Sequence, residues 1–323
     1  YILLIFIIIN LFLTIKYKSL CKILNVNDYP DGKRKIHIEI TPLFGGIMVF
    51  INLIIFFGLY ILFPNLFLDL SLSIFEKNIN FYYFFIFSCL VMFLGIYDDK
   101  YNLNANIKFL LLLAIVFGLL LIDKSLLIES LYFETLQYKI YFHDYFLFFT
   151  ILCFLLFINA ANMYDGINLQ LGPYFLFIFF IFYLELNFIF LFSIFIITLL
   201  FFCILNLRGK IFLGNNGAYL ISFIISYIFI KQNNLNLAIS AEEIFLIMFL
   251  PGLDMLRLFI YRILNKKNPF SADRMHLHHL ILNRFNLKQT QIIIFFLSVV
   301  PYLIFQISQS IYPILFSISL YLL

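Results

Sequence analysis

Four short constellations hold most of the uncommon polar residues of this 323-residue chain. In the first, Asp98-Asp99-Lys100, two adjacent carboxylates directly follow an apolar run. Like charges side by side repel, and both lose water at a membrane boundary, so a hard divalent cation with oxygen ligands is a natural partner. A solvated acidic pair countered by Lys100 is the plainer alternative. The second constellation runs from Asn159 and Asn162 to Asp165, Gly166 and Asn168. Three-residue steps put Asn159, Asn162 and Asp165 on one helix face, with Gly166 expected to close the helix. No Lys or Arg in the segment offsets the carboxylate, which suits a cation or a hydroxyl-rich ligand; ordinary helix capping would need fewer such residues.

The third constellation, Gly209-Lys210 and then Gly214-Asn215-Asn216-Gly217, can offer backbone N–H groups to a phosphate at a helix N-terminus, a type I′ turn being the simpler reading. The fourth, from Pro269 to His279, holds Asp273, Arg274 and three of the five histidines, His276, His278 and His279. Arg and His together suit phosphate oxygens, whereas zinc would want Cys or further His nearby. Asp254, three residues before Arg257, lies inside an apolar run, where it either pairs with Arg257 or touches substrate.

These residues need something to hold them, and the composition says what. The chain is 64% apolar and 12% charged, with a mean hydropathy of +1.04. That excludes an ordinary soluble domain, a disordered chain and a coiled coil. The expected fold class is an all-α polytopic membrane protein, one domain over residues 1–323, with ten or eleven spans. These fall near 1–15, 44–63, 81–96, 109–122, 145–158, 174–188, 189–205, 217–230, 244–264, 291–307 and 310–323. The first run has no basic flank or small-residue cleavage site and reads as a span rather than a leader. The 46 Phe reflect compositional skew, and the four dispersed Cys read as unpaired. With the N-terminus outside, seventeen of the 21 Lys and Arg fall in cytoplasmic loops, and so do all four constellations. On the outer side, alternation from Ser130 to His143 suggests a small β-hairpin.

Taken together the motifs resemble the polyprenyl-phosphate N-acetylhexosamine-1-phosphate transferases, and the resemblance covers nearly the whole chain. Pro30 to His37, with Lys35, and Thr41 to Gly46 resemble that family's first cytoplasmic loop. Asp98-Asp99 resembles its acidic pair, Lys108 its downstream lysine, and Asn159 to Gly166 its N-A-x-N-x-x-D-G signature. Pro269 to His279 is similar to the P-x-x-D-x-x-H-x-H-H loop of the WecA-like branch. Two positions depart: Asn168 stands where many members carry an acid, and Asn215 replaces the Asp of F-x-G-D-x-G.

The resemblance implies a multi-pass enzyme of the bacterial inner membrane, with its active face cytoplasmic. It would transfer a sugar-1-phosphate from a UDP-sugar to undecaprenyl phosphate, release UMP and start a cell-envelope polysaccharide. The cofactor implied is Mg²⁺, with Mn²⁺ as substitute. Asp98, Asp99, Asp165 and Asn215 are the implied metal site, and the three acids with His276, His278 and His279 the implied catalytic set. Lys35, Lys108, Asn159, Asn162, Asn168 and Arg274 are the implied substrate contacts. No nucleic acid is expected, and a homodimer is compatible. The alternatives are a phospho-N-acetylmuramoyl-pentapeptide transferase, a transporter, whose support is Asp254, and a non-catalytic relative, whose support is Asn215.

Overall fold

The computed structural model describes residues 2–30, 39–63, 75, 78–186, 189–235, 239–269 and 275–322. Its helices are α1 (Ile2–Leu24), α2 (Gly45–Leu62), α3 (Asn78–Tyr101), α4 (Ala105–Ile122), α5 (Phe146–Tyr164) and α6 (Leu171–Glu185), followed by α7 (Ile189–Leu207), α8 (Gly214–Asn234), α9 (Ala241–Leu264), α10 (Leu277–Leu282), α11 (Leu287–Ser308) and α12 (Tyr312–Leu322). Short antiparallel pairings join β1 (Asn27–Asp28) to β2 (Thr41–Pro42) and β3 (Ser130–Phe133) to β4 (Tyr138–Tyr141).

Each expected apolar run contains a helix, and several helices continue past the run. The run ending at Ile15 extends to Leu24 because Tyr17 and Cys21 carry on the buried stripe of Phe6, Asn10 and Leu13 at helical spacing. The third run gains a turn that includes Asp98 and Asp99. Among the described residues, eight helices are long and apolar enough to cross a membrane, against the ten or eleven spans expected. Length and sheathing account for the difference. Helix α6 has 15 residues, α12 has 11, and α8 carries Asn, Lys and Gln residues because its neighbours sheathe it. From Asn216 to Gln232 every residue of α8 is buried, with α2, α3 and α5 packed around it.

Without a hydrophobic drive between helices in lipid, polar pairs and close packing hold the bundle. Asn10 of α1 and Asn52 of α2 exchange side-chain amide bonds at 3.1 and 3.2 Å, and Asn10 also donates to Thr198 of α7 at 3.3 Å. All three are fully buried. At the other end of the bundle, Lys231 of α8 pairs with Asp123, which also accepts from Tyr227 at 3.1 Å. The β3–β4 hairpin, legible in the alternation, is tied to α9 by buried Glu242, which accepts from the Glu134 and Thr135 backbone and the Thr135 hydroxyl.

The Asn10–Asn52 pair gives a first test. Asn10→Leu or Asn52→Leu leaves a buried amide unpaired and should cost about 1 kcal/mol, lowering the unfolding midpoint in detergent by roughly 2 to 4 °C. The double variant should lose less than the sum of the two; strict additivity would show that the amides do not interact.

Candidate active site

Consecutive residues on a helix point about 100° apart, so Asp98 and Asp99, adjacent in sequence, take different partners. Asp98, 1% exposed, accepts from the Leu103 N–H at 3.0 Å, Lys108 Nζ at 3.1 Å and the Tyr219 hydroxyl at 2.9 Å. Asp99 turns to the start of α8. One of its oxygens accepts from the Asn215 N–H at 2.9 Å, the other from the Asn216 N–H at 3.0 Å and the Asn216 side-chain amide. A carboxylate supplied by α3 thus fills the positive N-terminus of α8. The Gly-Asn-Asn-Gly segment is neither an isolated type I′ turn nor an open phosphate cradle: it is the first turn of α8, and its leading N–H groups are taken.

Glycines allow this convergence. A Cβ on Gly95 would fall on the Asn216 backbone, and one on Gly46 would fall on Gly217. The first N–H groups of α2 meet the turn before α8, with Phe44 and Gly45 donating to the Phe212 carbonyl at 3.1 and 3.0 Å and Gly46 to that of Leu213 at 3.2 Å. Three helix ends therefore lock to one another by backbone contact.

Helix α5 stops at Tyr164, which makes Asp165 its C-cap. Gly166 does not have a left-handed backbone, contrary to the expected glycine cap. Its lack of a side chain serves another purpose, because a Cβ there would overlap the His278 ring. The following loop is fixed by Asn206, whose amide accepts from the Leu169 N–H at 2.7 Å and donates to the Ile211 carbonyl at 2.9 Å. Gln291 donates to the Asn168 carbonyl at 2.7 Å. Asn159 donates to the Leu155 carbonyl at 2.7 Å.

The histidine loop hangs from α9. Asp254 accepts from Arg257 at 2.8 Å and from the Leu277 N–H at 3.1 Å, and its second oxygen meets His276 Nδ1 at 3.2 Å. Of the two readings of Asp254, the structure therefore displays the pairing with Arg257. Burial first, then the neighbouring His279 and His276 rings, pull His278 down to about 3, so it is neutral at working pH.

These pieces enclose one cavity of about 620 Å³. It brings together Asp98, Asp99, Lys108, Asn159, Asn162, Asp165, Asn168, Asn215, His276, His278 and His279 from the sequence reading. Lys35 and Arg274 lie outside the described residues. The lining also includes Asp28, Asn206 and Arg262, which sequence reasoning did not single out. Arg262 is 1% exposed and donates to the Pro269 carbonyl at 2.6 Å. A fully buried arginine at the end of an apolar helix was countable in the sequence only as one more basic loop residue. A smaller cleft of about 240 Å³ adjoins, sharing Asp28, Asp99 and Asn102.

The chemistry of this lining fits a divalent cation in a limited way. Among the described residues no three His, Cys, Asp or Glu side chains form a ready cage. Both oxygens of Asp98 and of Asp99 already accept hydrogen bonds. Asp165 differs: it is exposed to the cavity, and partial loss of water there, followed by repulsion from Asp99, raises its carboxyl to about 7. A carboxylate raised in this way gains from a cation. Magnesium usually takes one or two carboxylates and completes its shell with water and substrate phosphates. Asp165 and the Asn215 carbonyl oxygen can supply the protein's share.

Comparison with known proteins agrees with the resemblance read from the motifs. Residues 81–233, from α3 to α8, match glycosyl transferase family 4. The undecaprenyl-phosphate alpha-N-acetylglucosaminyl 1-phosphate transferase of Salmonella typhi is 27% identical over 293 residues, 86% of this chain and 74% of that protein. The protein of the same name from Escherichia coli K12 is 28% identical over the same shares. That from Thermotoga maritima is 26% identical over 89% of this chain and 83% of its own length.

The Gly166–His278 contact yields a direct expectation. Gly166→Ala should displace the histidine loop, seen as faster hydrogen exchange in residues 275–285 with α1 and α2 unchanged. Unaltered exchange there would show that the loop does not depend on this contact.

Proposed function

We propose that this chain is a member of glycosyl transferase family 4 and moves a sugar-1-phosphate, that of N-acetylglucosamine or a related N-acetylhexosamine, from a UDP-sugar to undecaprenyl phosphate, releasing UMP. The observation that carries the reading is the single cavity in which the acidic pair, the Asn-Asp loop and the histidine loop meet. The names of the relatives supply the acceptor and the sugar.

The chemistry follows from the charges. A phosphate monoester has a second pKa near 6, so the acceptor is largely dianionic at neutral pH and needs no strong base. The barrier lies in bringing that anion onto a diphosphate, and positioning with charge neutralisation lowers it. A bound Mg²⁺ would supply a Lewis acid on the diphosphate oxygens. Asp165 and Asn215, both on the cavity lining, would hold it. Asp99 fixes the α8 turn that presents Asn215, and Asp98 fixes Lys108 at the cavity wall. His276, His279 and Arg262 line the opposite loops and suit the phosphates and the leaving UMP.

Asn215 in place of an acid removes one negative charge from the lining, so Mg²⁺ would be held more weakly than by a second carboxylate. The charge asymmetry of the loops supports a cytoplasmic position for this face, and the bacterial relatives support an inner membrane. Asp254, on which a transporter would rest, is engaged in holding the histidine loop.

The test is a detergent assay with undecaprenyl phosphate, Mg²⁺ and UDP-N-acetylglucosamine labelled in the sugar. Label should enter organic solvent together with UMP release, stop with EDTA, and fall on the order of 10²-fold or more in Asp165→Asn. Excess UMP should regenerate UDP-sugar, because one phosphoanhydride replaces another. A folded protein that transfers no UDP-N-acetyl sugar would overturn the proposal. Asn215→Asp should lower the Mg²⁺ concentration at half-maximal rate, and an unchanged requirement would place Asn215 away from the cation.

A further inference from the structure

We infer that Asp254 is a positioning residue for His276, fixing which ring nitrogen faces the cavity. The identity of the group that His276 meets there rests on the proposed function; the orientation itself does not. Asp254 lies in α9 and is 4% exposed. Its Oδ1 accepts from Arg257 Nη2, the Leu277 N–H and the Tyr321 hydroxyl, at 2.8, 3.1 and 3.1 Å. Its Oδ2 lies 3.2 Å from His276 Nδ1. A carboxylate surrounded by donors can only accept, so the ring nitrogen facing it must carry its hydrogen. Nδ1–H is thereby committed to Asp254, and the second nitrogen, Nε2, is left to the cavity that His276 lines.

The clamp is broader than one bond. Arg257 Nη2 also donates to the Met275 carbonyl, and Arg257 Nε donates to the Tyr321 hydroxyl at 2.9 Å. One Asp–Arg pair therefore holds three successive residues: the carbonyl of 275, the ring of 276 and the N–H of 277. Arg257, Tyr321 and Leu277 all donate to Oδ1, and it is the His276 ring that meets Oδ2. The bond to the His276 ring adds orientation. With Nδ1–H committed to the carboxylate, Nε2 is the ring nitrogen left to meet a group bound in the cavity.

The experiment uses the full chain in detergent with ¹⁵N-labelled histidine, the His276→Gln variant identifying the His276 signals among the five histidines. Wild type should show His276 with hydrogen on Nδ1. In Asp254→Asn the new amide donates to Nδ1, and the neutral ring should move its hydrogen to Nε2. Turnover should fall at least about tenfold in Asp254→Asn. Adding Asp254→Asn to His276→Gln should cost nothing more. Wild-type His276 protonated only at Nε2, or fully multiplicative losses in the double variant, would overturn the inference. The wild-type spectrum decides even if Asp254→Asn fails to fold. An inactive wild type whose His276 carries Nδ1–H would sink the proposed function and leave this inference standing.

Discussion

The Asp99 carboxylate against the N-terminus of α8 is the interaction on which the site depends. It spans more than a hundred positions of sequence and joins the C-terminal end of α3 to the N-terminal end of α8. A negative charge in that place is stabilising by about 0.3 to 1 kcal/mol when exposed and up to about 2 when partly buried. Its structural leverage is larger than its energy. Because Asp99 engages the N–H groups of both Asn215 and Asn216, the rotation of α8 is fixed, and with it the position of Asn215 on the cavity wall and of Tyr219 against Asp98.

That clasp closes only because glycine removes side chains where the three helices meet. Gly46, Gly95 and Gly217 bring α2, α3 and α8 into backbone contact, and the carbonyls of Phe212 and Leu213 satisfy the N–H groups that open α2. The result is a rigid floor, built from one end of the bundle, under a cavity whose other walls are hung differently. Asp165 arrives as the cap of α5, and the histidine loop is suspended from Asp254. The acids divide their work accordingly. Asp98, Asp99 and Asp254 have their oxygens engaged and hold neighbours in place, while Asp165 opens into the cavity with a carboxyl raised to about 7.

Much of this was legible in the sequence because membrane chains separate their signals. Long apolar runs gave the helices, alternation gave the β3–β4 hairpin, and the scarcity of polar residues made the four constellations conspicuous. What the sequence could not yield was partnership. Asp98-Asp99 was readable as a repelling pair; that one takes Lys108 and Tyr219 while the other caps α8 depends on contacts between distant segments. The same blindness turned the Gly-Asn-Asn-Gly segment into a candidate phosphate cradle, since nothing local reveals that a distant carboxylate fills it. Gly166 was assigned a backbone role when its reason is the His278 ring. Asn206 and Arg262 passed unremarked, one as an amide ending an apolar run and the other as a loop charge. The apolar-run count exceeded the eight helices able to cross because a sheathed helix such as α8 need not itself be strongly apolar.

The central proposal is that the cavity would hold a divalent cation through Asp165 and Asn215, with Asp99 acting one step back as the clasp of α8. The most direct measurement is Mn²⁺ binding followed by electron paramagnetic resonance on purified wild type, Asp165→Asn and Asp99→Asn. An asparagine at 99 keeps an acceptor for the α8 N-terminus, so that variant should still bind, about ten- to a hundredfold more weakly than wild type, the loss expected for a group that acts at second hand. Asp165→Asn should abolish binding. Loss of Mn²⁺ in Asp99→Asn with retention in Asp165→Asn would contradict the account and make Asp99 the ligand.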